Sequence, residues 1–175
     1  MCPESSENRD IRVYRCLKFP LKWTLAKVLM SGVNAVDTLI FERNGKWWML
    51  TTLDSADTGD CYSQLYLFHS DSPVSDRWTS HPKNPIIIDP DCGRNAGLLR
   101  DGERVFRVAQ GQGFRQYGTS ARIFEISAIS ETDYVEEHRT SIAPSFALGL
   151  KGTHHLSCDG TTTAYDSVRY SWAFT

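Results

Sequence analysis

The sequence predicts an all-β fold assembled from repeated four-stranded antiparallel sheets, and three observations support that prediction. Helical periodicity is weak along the 175 residues, whereas short apolar or alternating runs recur between Gly, Pro, Asn and Asp residues, which is the pattern of strands and turns. Aromatic residues make up 11% of the chain, and such residues are enriched in strands. Asn-Gly and Asp-Gly pairs, which signal tight hairpins, return at a nearly constant interval.

The predicted strands follow one another at short intervals, each between turn-forming residues. In chain order they cover residues 11–16, 38–41, 47–51, 64–69, 85–88, 105–109 and 121–126. Further strands are expected near 78–88 and 134–142. The best helical candidate lies between Pro20 and Met30, and it is equally compatible with a loop followed by a strand. The sequence therefore favours β-structure over nearly the whole chain.

A repeat is visible in the hairpin signals Asn44-Gly45, Asp101-Gly102 and Asp159-Gly160. Their glycines are 57 and 58 residues apart. In each unit a short strand enters the turn and an aromatic or β-branched strand leaves it. Four antiparallel strands at a period somewhat above 50 residues describe a blade of a β-propeller. An ordinary β-sandwich with chance spacing is the alternative.

The repeat divides a single 175-residue domain into about three blades, fewer than a closed propeller usually has. Residues 1–31 form the end of a preceding blade and a linker, 32–88 and 89–148 form two blades, and 149–175 form a partial last blade. An open ring would expose strand edges, which favour pairing with another chain. We therefore expect a homodimer or a higher oligomer that covers those edges.

Composition excludes several classes of partner and site. The net charge of −2 gives no global reason to expect nucleic acid or an anionic membrane. No apolar run approaches the length of a membrane span, and residues 1–10 are too polar for a secretory signal. The five cysteines are scattered and odd in number, which favours reduced thiols in a cytoplasmic protein and indicates no metal. No cofactor is predicted.

Several motifs, in one order, carry a family resemblance. They are residues 11–23, residues 37–41 with Trp47-Trp48, His-Pro-Lys-Asn-Pro at 81–85, Arg-Asn-Ala-Gly at 94–97, Phe-Arg-Val-Ala-Gln at 106–110 and Gly-Thr-His-His at 152–155. The chain resembles the propeller domain that precedes the glycosyltransferase in glucosamine inositolphosphorylceramide transferases. The resemblance implies an incomplete propeller of the five-bladed type, similar to arabinanases and levansucrases, of which this chain matches about the last three blades.

The inner strand of each blade is where binding groups would converge on a central channel. The repeat places Asp37, Arg94 and residues 152–155 there. The resemblance to arabinanase-like enzymes makes Asp37 a candidate catalytic residue, in the place of a supporting aspartate. Arg94 and Asn95 stand where those enzymes carry an acid, and glycoside hydrolysis needs two carboxyl groups. Hydrolysis of that kind is therefore disfavoured.

The remaining candidates are cationic or polar and suit a sugar that carries a carboxylate or a phosphate. The predicted ligand-binding residues are Arg94, Arg107, Gln110, Tyr117, His154 and His155. If the two histidines lie on a strand, they point to opposite faces, so at most one faces a given pocket. A purely structural role, such as pairing between blades, is the alternative for each. Glu136 and Glu137 are expected to form a solvated face.

Three functions stay open at this point. The first is a carbohydrate-related binding or accessory module, without the full set of glycosidase carboxylates, for an anionic or phosphorylated sugar. The second is an enzyme, glycoside hydrolase-like or related to glycosyl transfer, whose site is completed by oligomerisation. The third is a non-catalytic interaction protein from a truncated or mobile gene.

Overall fold

The structure, a computed structural model, describes residues 1–113 and 116–169, and the side chains of residues 113–117 lie outside that description. Over the described residues the chain forms one 3-10 turn and fifteen strands. The prediction of an all-β fold is confirmed. The chain divides into two compact units, Met1–Asp89 and Pro90–Thr175, which are described separately. The blade boundaries, the oligomer and the cytoplasmic location stay predictions.

The first unit begins with a 3-10 turn at Ser6–Asn8 and an antiparallel hairpin. Its strands are β1 (Asp10–Lys18) and β2 (Lys22–Ser31). β2 settles the ambiguity of the Pro20–Met30 segment in favour of a strand. Trp23, Thr24 and Val28 favour a strand, and burial rises along β2 from the exposed Lys22 to the buried Leu29.

A five-stranded antiparallel sheet completes the first unit. Its strands are β3 (Ala35–Arg43), β4 (Lys46–Leu53), β5 (Gln64–Ser70), β6 (Thr79–Ser80) and β7 (Ile87–Ile88). The sheet order is β3-β4-β5-β6, and β7 also pairs with β5. One strand was expected near 78–88, but two short strands form there. Pro82 and Pro85 interrupt the pairing because proline has no N–H for the ladder.

The core of the first unit lies between this sheet and the hairpin. The buried cluster comprises Ile11, Leu29, Ala35, Met49, Leu53 and Phe68. Members come from both strands of the hairpin and from three strands of the sheet. Burial of these apolar side chains fixes the hairpin on the sheet at its root, where Ile11 and Leu29 lie.

The second unit contains a four-stranded antiparallel sheet with two short two-stranded additions. The sheet has the order β11-β10-β9-β8. Its strands are β8 (Asn95–Asp101), β9 (Arg104–Gly113), β10 (Gln116–Ile129) and β11 (Tyr134–Ile142). The additions pair β12 (Leu150–Gly152) with β15 (Val168–Arg169), and β13 (Leu156–Cys158) with β14 (Thr163–Tyr165). Its buried core is Ala96, Val108 and Ala121, covered by Leu156 among others.

In the first two predicted turns the glycine occupies different positions, second in one turn and first in the other. In the first unit Arg43 pairs with Lys46, and both Asn44 and Gly45 have positive φ (56° and 72°), as a type I′ turn requires. In the second unit the central residues are Gly102 and Glu103, because Asp101 pairs with Arg104. Gly102 has φ 57° at the first central position, as in a type II′ turn.

This difference corrects the predicted alignment of the two repeats. Val36 pairs with Thr52, and the backbone N–H of Gln110 donates to the carbonyl of Arg94. With the turns and ladders superposed, Arg94 corresponds to Val36. The counterpart of Asp37 in the second unit is therefore Asn95. The prediction that Arg94 occupies the position of Asp37 is wrong by one residue, since it was anchored on turn glycines that hold different turn positions.

Candidate functional site

A cavity of about 320 Å³ lies in the second unit, on the side where the two short additions meet the main sheet. Its lining is mostly apolar and aromatic. The lining residues are Ala121, Ile142, Phe146, Thr153, His155, Leu156 and Tyr165. We call this space the aromatic cavity. Its size and composition are those of a site for a small molecule, in which a few polar groups orient the ligand.

Two aromatic rings form one wall of the aromatic cavity. The ring centroids of Phe146 and Tyr165 are 5.1 Å apart, and the ring planes meet at 87°. Such an edge-to-face contact is favourable because the positive edge of one ring meets the negative face of the other. Both side chains are nevertheless exposed. The pair therefore offers aromatic surface to a ligand in a fixed orientation.

Asp166 fixes the loop that carries the two histidines. Its Oδ1 accepts hydrogen bonds from the backbone N–H groups of His154 (2.9 Å) and His155 (2.8 Å). Its Oδ2 lies beside Nδ1 of His154. The hydroxyl of Thr153 donates to the backbone carbonyl of Asp166 at 2.8 Å. These bonds hold residues 153–155 at the cavity without a regular strand.

The prediction that the two histidines point to opposite faces depended on their lying on a strand. They lie in the loop between β12 and β13, so the strand-based prediction of their geometry does not apply. His155 is exposed and lines the aromatic cavity. His154 packs against Gly118, where an added Cβ would lie 2.8 Å from the Cβ of His154. Gly118 has φ 61°, and its missing side chain allows this close approach.

Arg107, a predicted ligand-binding residue, is fully buried in a polar cluster. Its Nε and Nη2 donate to Glu136 at 2.8 and 2.5 Å, and its Nη1 donates to the backbone carbonyl of Cys92 at 2.9 Å. The Oδ1 of Asn95 accepts a further bond at 3.4 Å. The guanidinium also lies over the ring of Phe124, 5.2 Å from its centroid. The guanidinium N–H groups of Arg107 therefore donate to acceptors within the protein.

The same cluster overturns the expectation that Glu136 is solvated. Its side chain is only 8% exposed, and its Oε2 also accepts from the Tyr134 hydroxyl at 2.6 Å. Burial lowers the pKa of Arg107, but the charge and hydrogen bonds of Glu136 outweigh it and keep that pKa above its usual range. Burial, with Glu136 nearby, raises the pKa of Tyr134. Glu137 is exposed, as expected.

Arg94, Gln110 and Asp37 are not part of the aromatic cavity's lining. Arg94 is buried, and Gln110 donates from its amide to the carbonyl of Asn95 at 2.9 Å. Tyr117 belongs to β10 by its backbone, but its side chain lies outside the described part of the chain. Asp37 belongs to the first unit, in a bulge of β3 with φ 53°. Among the predicted residues whose side chains the structure describes, His155 is the one that lines the aromatic cavity.

Sequence reasoning missed Phe146, Tyr165 and Asp166, and it included Thr153 only as part of the stretch 152–155, with no role of its own. Phe146 and Tyr165 are aromatic residues in short, turn-rich segments, and that position is the one signal that could have identified them. Asp166 acts through its contacts with backbone groups of residues twelve and eleven positions earlier. Nothing in the local sequence indicates such contacts.

Two features are absent from the described residues. Residues 1–113 and 116–169 contain no group of three or more His, Cys, Asp or Glu side chains that could hold a metal ion. Within the same described part, no helix is long and apolar enough to span a bilayer.

The fold and the site define an all-β domain of propeller-like antiparallel sheets with a small aromatic cavity. A sequence model described as "Glucosamine inositolphosphorylceramide transferase 1, N-terminal" matches residues 1–153. The chain belongs to this family, and the family resemblance predicted from its motifs is confirmed. Phe146 and Thr153 fall inside the matched stretch, whereas His155 and Tyr165 follow it.

Curated relatives agree with this assignment. The chain is 34% identical over 140 residues to "Glucosamine inositolphosphorylceramide transferase 1" of Arabidopsis thaliana. It is 29% identical over 144 residues to the protein of the same name in Oryza sativa subsp. japonica. Both alignments cover 78% of this chain and 18% of the relative. The chain therefore spans less than a fifth of the length of the curated relatives that it matches.

Proposed function

We propose that this chain is a carbohydrate-binding module, accessory to glycosyl transfer, that binds a sugar in the aromatic cavity. The observation that carries the proposal is the fixed pair of Phe146 and Tyr165 beside His155. Aromatic rings offer apolar faces to the C–H face of a sugar, while the imidazole hydrogen-bonds a hydroxyl. The relatives carry the name "Glucosamine inositolphosphorylceramide transferase 1", and the sugar in that name supports a sugar-related role.

Binding rather than hydrolysis fits the lining of the aromatic cavity. The described lining contains no carboxylate, whereas glycoside hydrolysis needs two. Asp166 is the acidic residue that holds this loop, and its Oδ1 already accepts two backbone hydrogen bonds. It is a positioning residue for His155 rather than an acid or a nucleophile.

A preference for anionic or phosphorylated sugars would depend on His155. Arg107 directs its guanidinium to Glu136 and Cys92, so the cationic set predicted from the sequence is not gathered at the cavity. His155 is the lining residue that can carry a positive charge. A sugar carboxylate or phosphate next to it would gain a charge-assisted hydrogen bond.

Binding should be measured by thermal shift and calorimetric titration with glucose, glucosamine, glucuronic acid and glucose 6-phosphate. Tyr165→Ala should weaken binding about tenfold, because half of the aromatic pair is lost. His155→Ala should remove any preference for the charged sugars and leave the neutral ones bound. Tyr62→Ala, at an exposed tyrosine in the first unit, is the matched control. Equal losses in Tyr165→Ala and Tyr62→Ala, or no binding of any of the four sugars, would contradict the proposal.

The second candidate, an enzyme whose site is completed by oligomerisation, draws support from Asp37. A non-glycine residue at φ 53° is uncommon, and such backbone strain often accompanies functional sites. If Asp37 is catalytic, Asp37→Asn should abolish glycoside hydrolysis or transfer by the assembled protein while sugar binding persists. Activity that is unchanged in this variant would remove Asp37 from the chemistry.

A further inference from the structure

The β1–β2 hairpin ends in an unusually apolar turn. Three residues, Phe19, Pro20 and Leu21, connect the strands, and the backbone N–H of Leu21 donates to the carbonyl of Lys18 at 2.8 Å. Phe19 is 81% exposed and Leu21 80% exposed, with Leu17 exposed beside them. We call residues 17–23 the hairpin tip. Unlike the root of the same hairpin, this tip has its large apolar side chains in water.

Turn chemistry does not require such a composition, as four other short hairpins in the described part of the chain show. Their described turns are Asn44-Gly45, Gly102-Glu103, residues 130–133 (Ser-Glu-Thr-Asp) and residues 159–162 (Asp-Gly-Thr-Thr). All of them consist of glycine and polar residues, the usual choice for turns that meet water. The hairpin tip therefore differs in composition from these four short turns.

Positive charge surrounds the hairpin tip. No acidic residue occurs between Asp10 and Asp37, although the whole chain has a net charge of −2. Within that interval lie five basic residues, namely Arg12, Arg15, Lys18, Lys22 and Lys27. The hairpin is thus a cationic segment in a chain that is slightly acidic as a whole.

The basic residues nearest to the tip are the ones without acidic neighbours. At the root, Arg12 contacts Asp10 and Lys27 contacts Asp76. Over the part of the chain that the structure describes, no carboxylate forms an ion pair with Arg15, Lys18 or Lys22. Lys18 and Lys22 are moreover direct partners in the strand register, and like charges placed opposite each other destabilise a hairpin.

We propose that the hairpin tip docks into the surface of an anionic phospholipid bilayer. Phe19 and Leu21 would enter the boundary between headgroups and acyl chains, and the lysines beside them would meet the anionic headgroups. Trp23 follows the turn, and its indole N–H donates to the carbonyl of Pro20 at 2.9 Å. In the docked state Trp23 would lie at the headgroup level, which tryptophan favours. Exposed apolar surface and paired lysines are both unfavourable in water, and both would be favourable at an anionic bilayer.

A second copy of the chain fits this surface less well. A two-fold contact between tips would bring the same cationic residues of both copies together. The expectation of no membrane partner rested on the net charge of the whole chain. That average conceals the local excess of positive charge at the hairpin.

The proposal can be tested by co-sedimentation of the chain with phosphatidylcholine vesicles, with and without phosphatidylserine. The chain should bind vesicles that contain phosphatidylserine and lose binding as salt is added. Phe19→Ser with Leu21→Ser should reduce binding at least about tenfold. Lys18→Glu with Lys22→Glu should reduce it by on the order of fivefold for each lysine, or more.

Two matched controls separate the hairpin tip from the rest of the surface. Leu148→Ser removes an apolar side chain that is 97% exposed in the second unit, and Arg77→Glu reverses an exposed charge outside the hairpin. Both should bind vesicles as the unaltered chain does. Losses equal to those of the tip variants would overturn the proposal.

Tryptophan fluorescence gives a second readout that does not depend on the folding of the serine or glutamate variants. Vesicles with phosphatidylserine should shift the emission of the chain to the blue, and Trp23→Phe should remove most of that shift. Binding that is equal for neutral and anionic vesicles would contradict the proposal, as would a shift that survives Trp23→Phe. So would a dimer that dissociates on Phe19→Ser with Leu21→Ser, since a second copy would then cover the tip.

Discussion

The second strands of the two large sheets place different residues at the same position. In the first unit Met49 pairs in register with Phe68 and is buried among apolar side chains. In the second unit the corresponding residue is Arg107, which pairs in register with Phe124. Both residues are fully buried. One ladder position is therefore apolar in one sheet and ionic in the other.

The difference shows what the ionic arrangement demands of its surroundings. Met49 needs only apolar neighbours, and several residues of the cluster share that task. Arg107 needs specific acceptors, supplied by Glu136, Asn95 and the Cys92 carbonyl. A buried charge whose partner is removed is strongly destabilising, whereas replacing a whole buried pair by apolar residues is often nearly neutral. The second unit should therefore be more sensitive to single substitutions at this position.

The largest effect is expected from Arg107→Met, which gives the second sheet the residue of the first. Glu136 would remain buried without its cationic partner, so the free energy of unfolding should fall by about 3–5 kcal/mol. Adding Glu136→Leu to this variant should restore much of the loss. Urea denaturation of the single and double variants measures both effects.

The control for this substitution is Arg104→Met on the same strand, where the ion pair with Glu125 is exposed on the arginine side. Water screens this pair on the arginine side and Arg139 still contacts Glu125, so the midpoint of unfolding should move much less than in Arg107→Met. If Arg107→Met lowered the free energy of unfolding no more than Arg104→Met, the buried pair of Arg107 and Glu136 would not be especially important for stability.

A smaller loss should follow Gly97→Ala, which tests how β13 packs on the second sheet. An added Cβ would lie 2.0 Å from the carbonyl oxygen of Leu156, and Gly97 has φ 142°. We expect about 3 kcal/mol of destabilisation and a loss of sugar binding, because Leu156 lines the aromatic cavity. Gly102→Ala, where the space is open, should cost only about 1 kcal/mol. Equal costs would mean that the close approach at Gly97 is unimportant.

The next largest effect is a difference in stability between glycine and alanine variants, which should have opposite signs at Asp37 and at its counterpart Asn95. Asp37 has φ 53°, whereas Asn95 is not among the described residues with positive φ. Asp37→Gly should therefore be more stable than Asp37→Ala by about 1 kcal/mol. At position 95 the glycine variant should instead be the less stable one, by about 0.5–1 kcal/mol. Thermal unfolding of the four variants checks the reversal, and the same sign at both positions would contradict the difference in backbone conformation between them.

The smallest effect concerns pH and the ion pairs that Glu125 forms on the second sheet. Hydrogen bonds from Arg104 and Arg139 lower the pKa of Glu125 to about 2, despite the opposing effect of desolvation. Because the folded pKa is below the unfolded value, the stabilisation is complete above pH 4.5 and is lost as pH falls toward 2. Glu125→Gln should flatten this acid dependence of the melting temperature. Glu103→Gln, in the nearby turn, is the control and should leave it unchanged.

Local patterns in the sequence were enough to predict the strands, because apolar alternation and turn residues act over short distances. The segment 134–142 coincides with β11, and the hairpin at Asn44-Gly45 has the expected turn. The alignment of Asp37 with Arg94 failed because Asn-Gly and Asp-Gly were treated as the same turn. Their central residues are Asn44-Gly45 and Gly102-Glu103, and such a shift appears only when the ladder is known.

The candidate site was less predictable, because its contacts join distant residues. Arg107 and Glu136 are 29 positions apart. The sequence around either residue does not indicate that the two form a buried ion pair. The loop of His154 and His155 depends on Asp166, and the aromatic wall depends on Phe146 meeting Tyr165. His155 was found because it belongs to a conspicuous motif. Its neighbours become visible only in three dimensions.

The central claim is that the second unit binds a sugar in the aromatic cavity, and methyl NMR tests it most directly. In a titration with glucosamine or glucuronic acid, the methyl signals of Ile142 and Leu156 should shift in a saturable way. Those of Ile11 and Leu29, in the core of the first unit, should stay unchanged. Unshifted Ile142 and Leu156 signals at saturating sugar, or shifts confined to the first unit, would contradict the account.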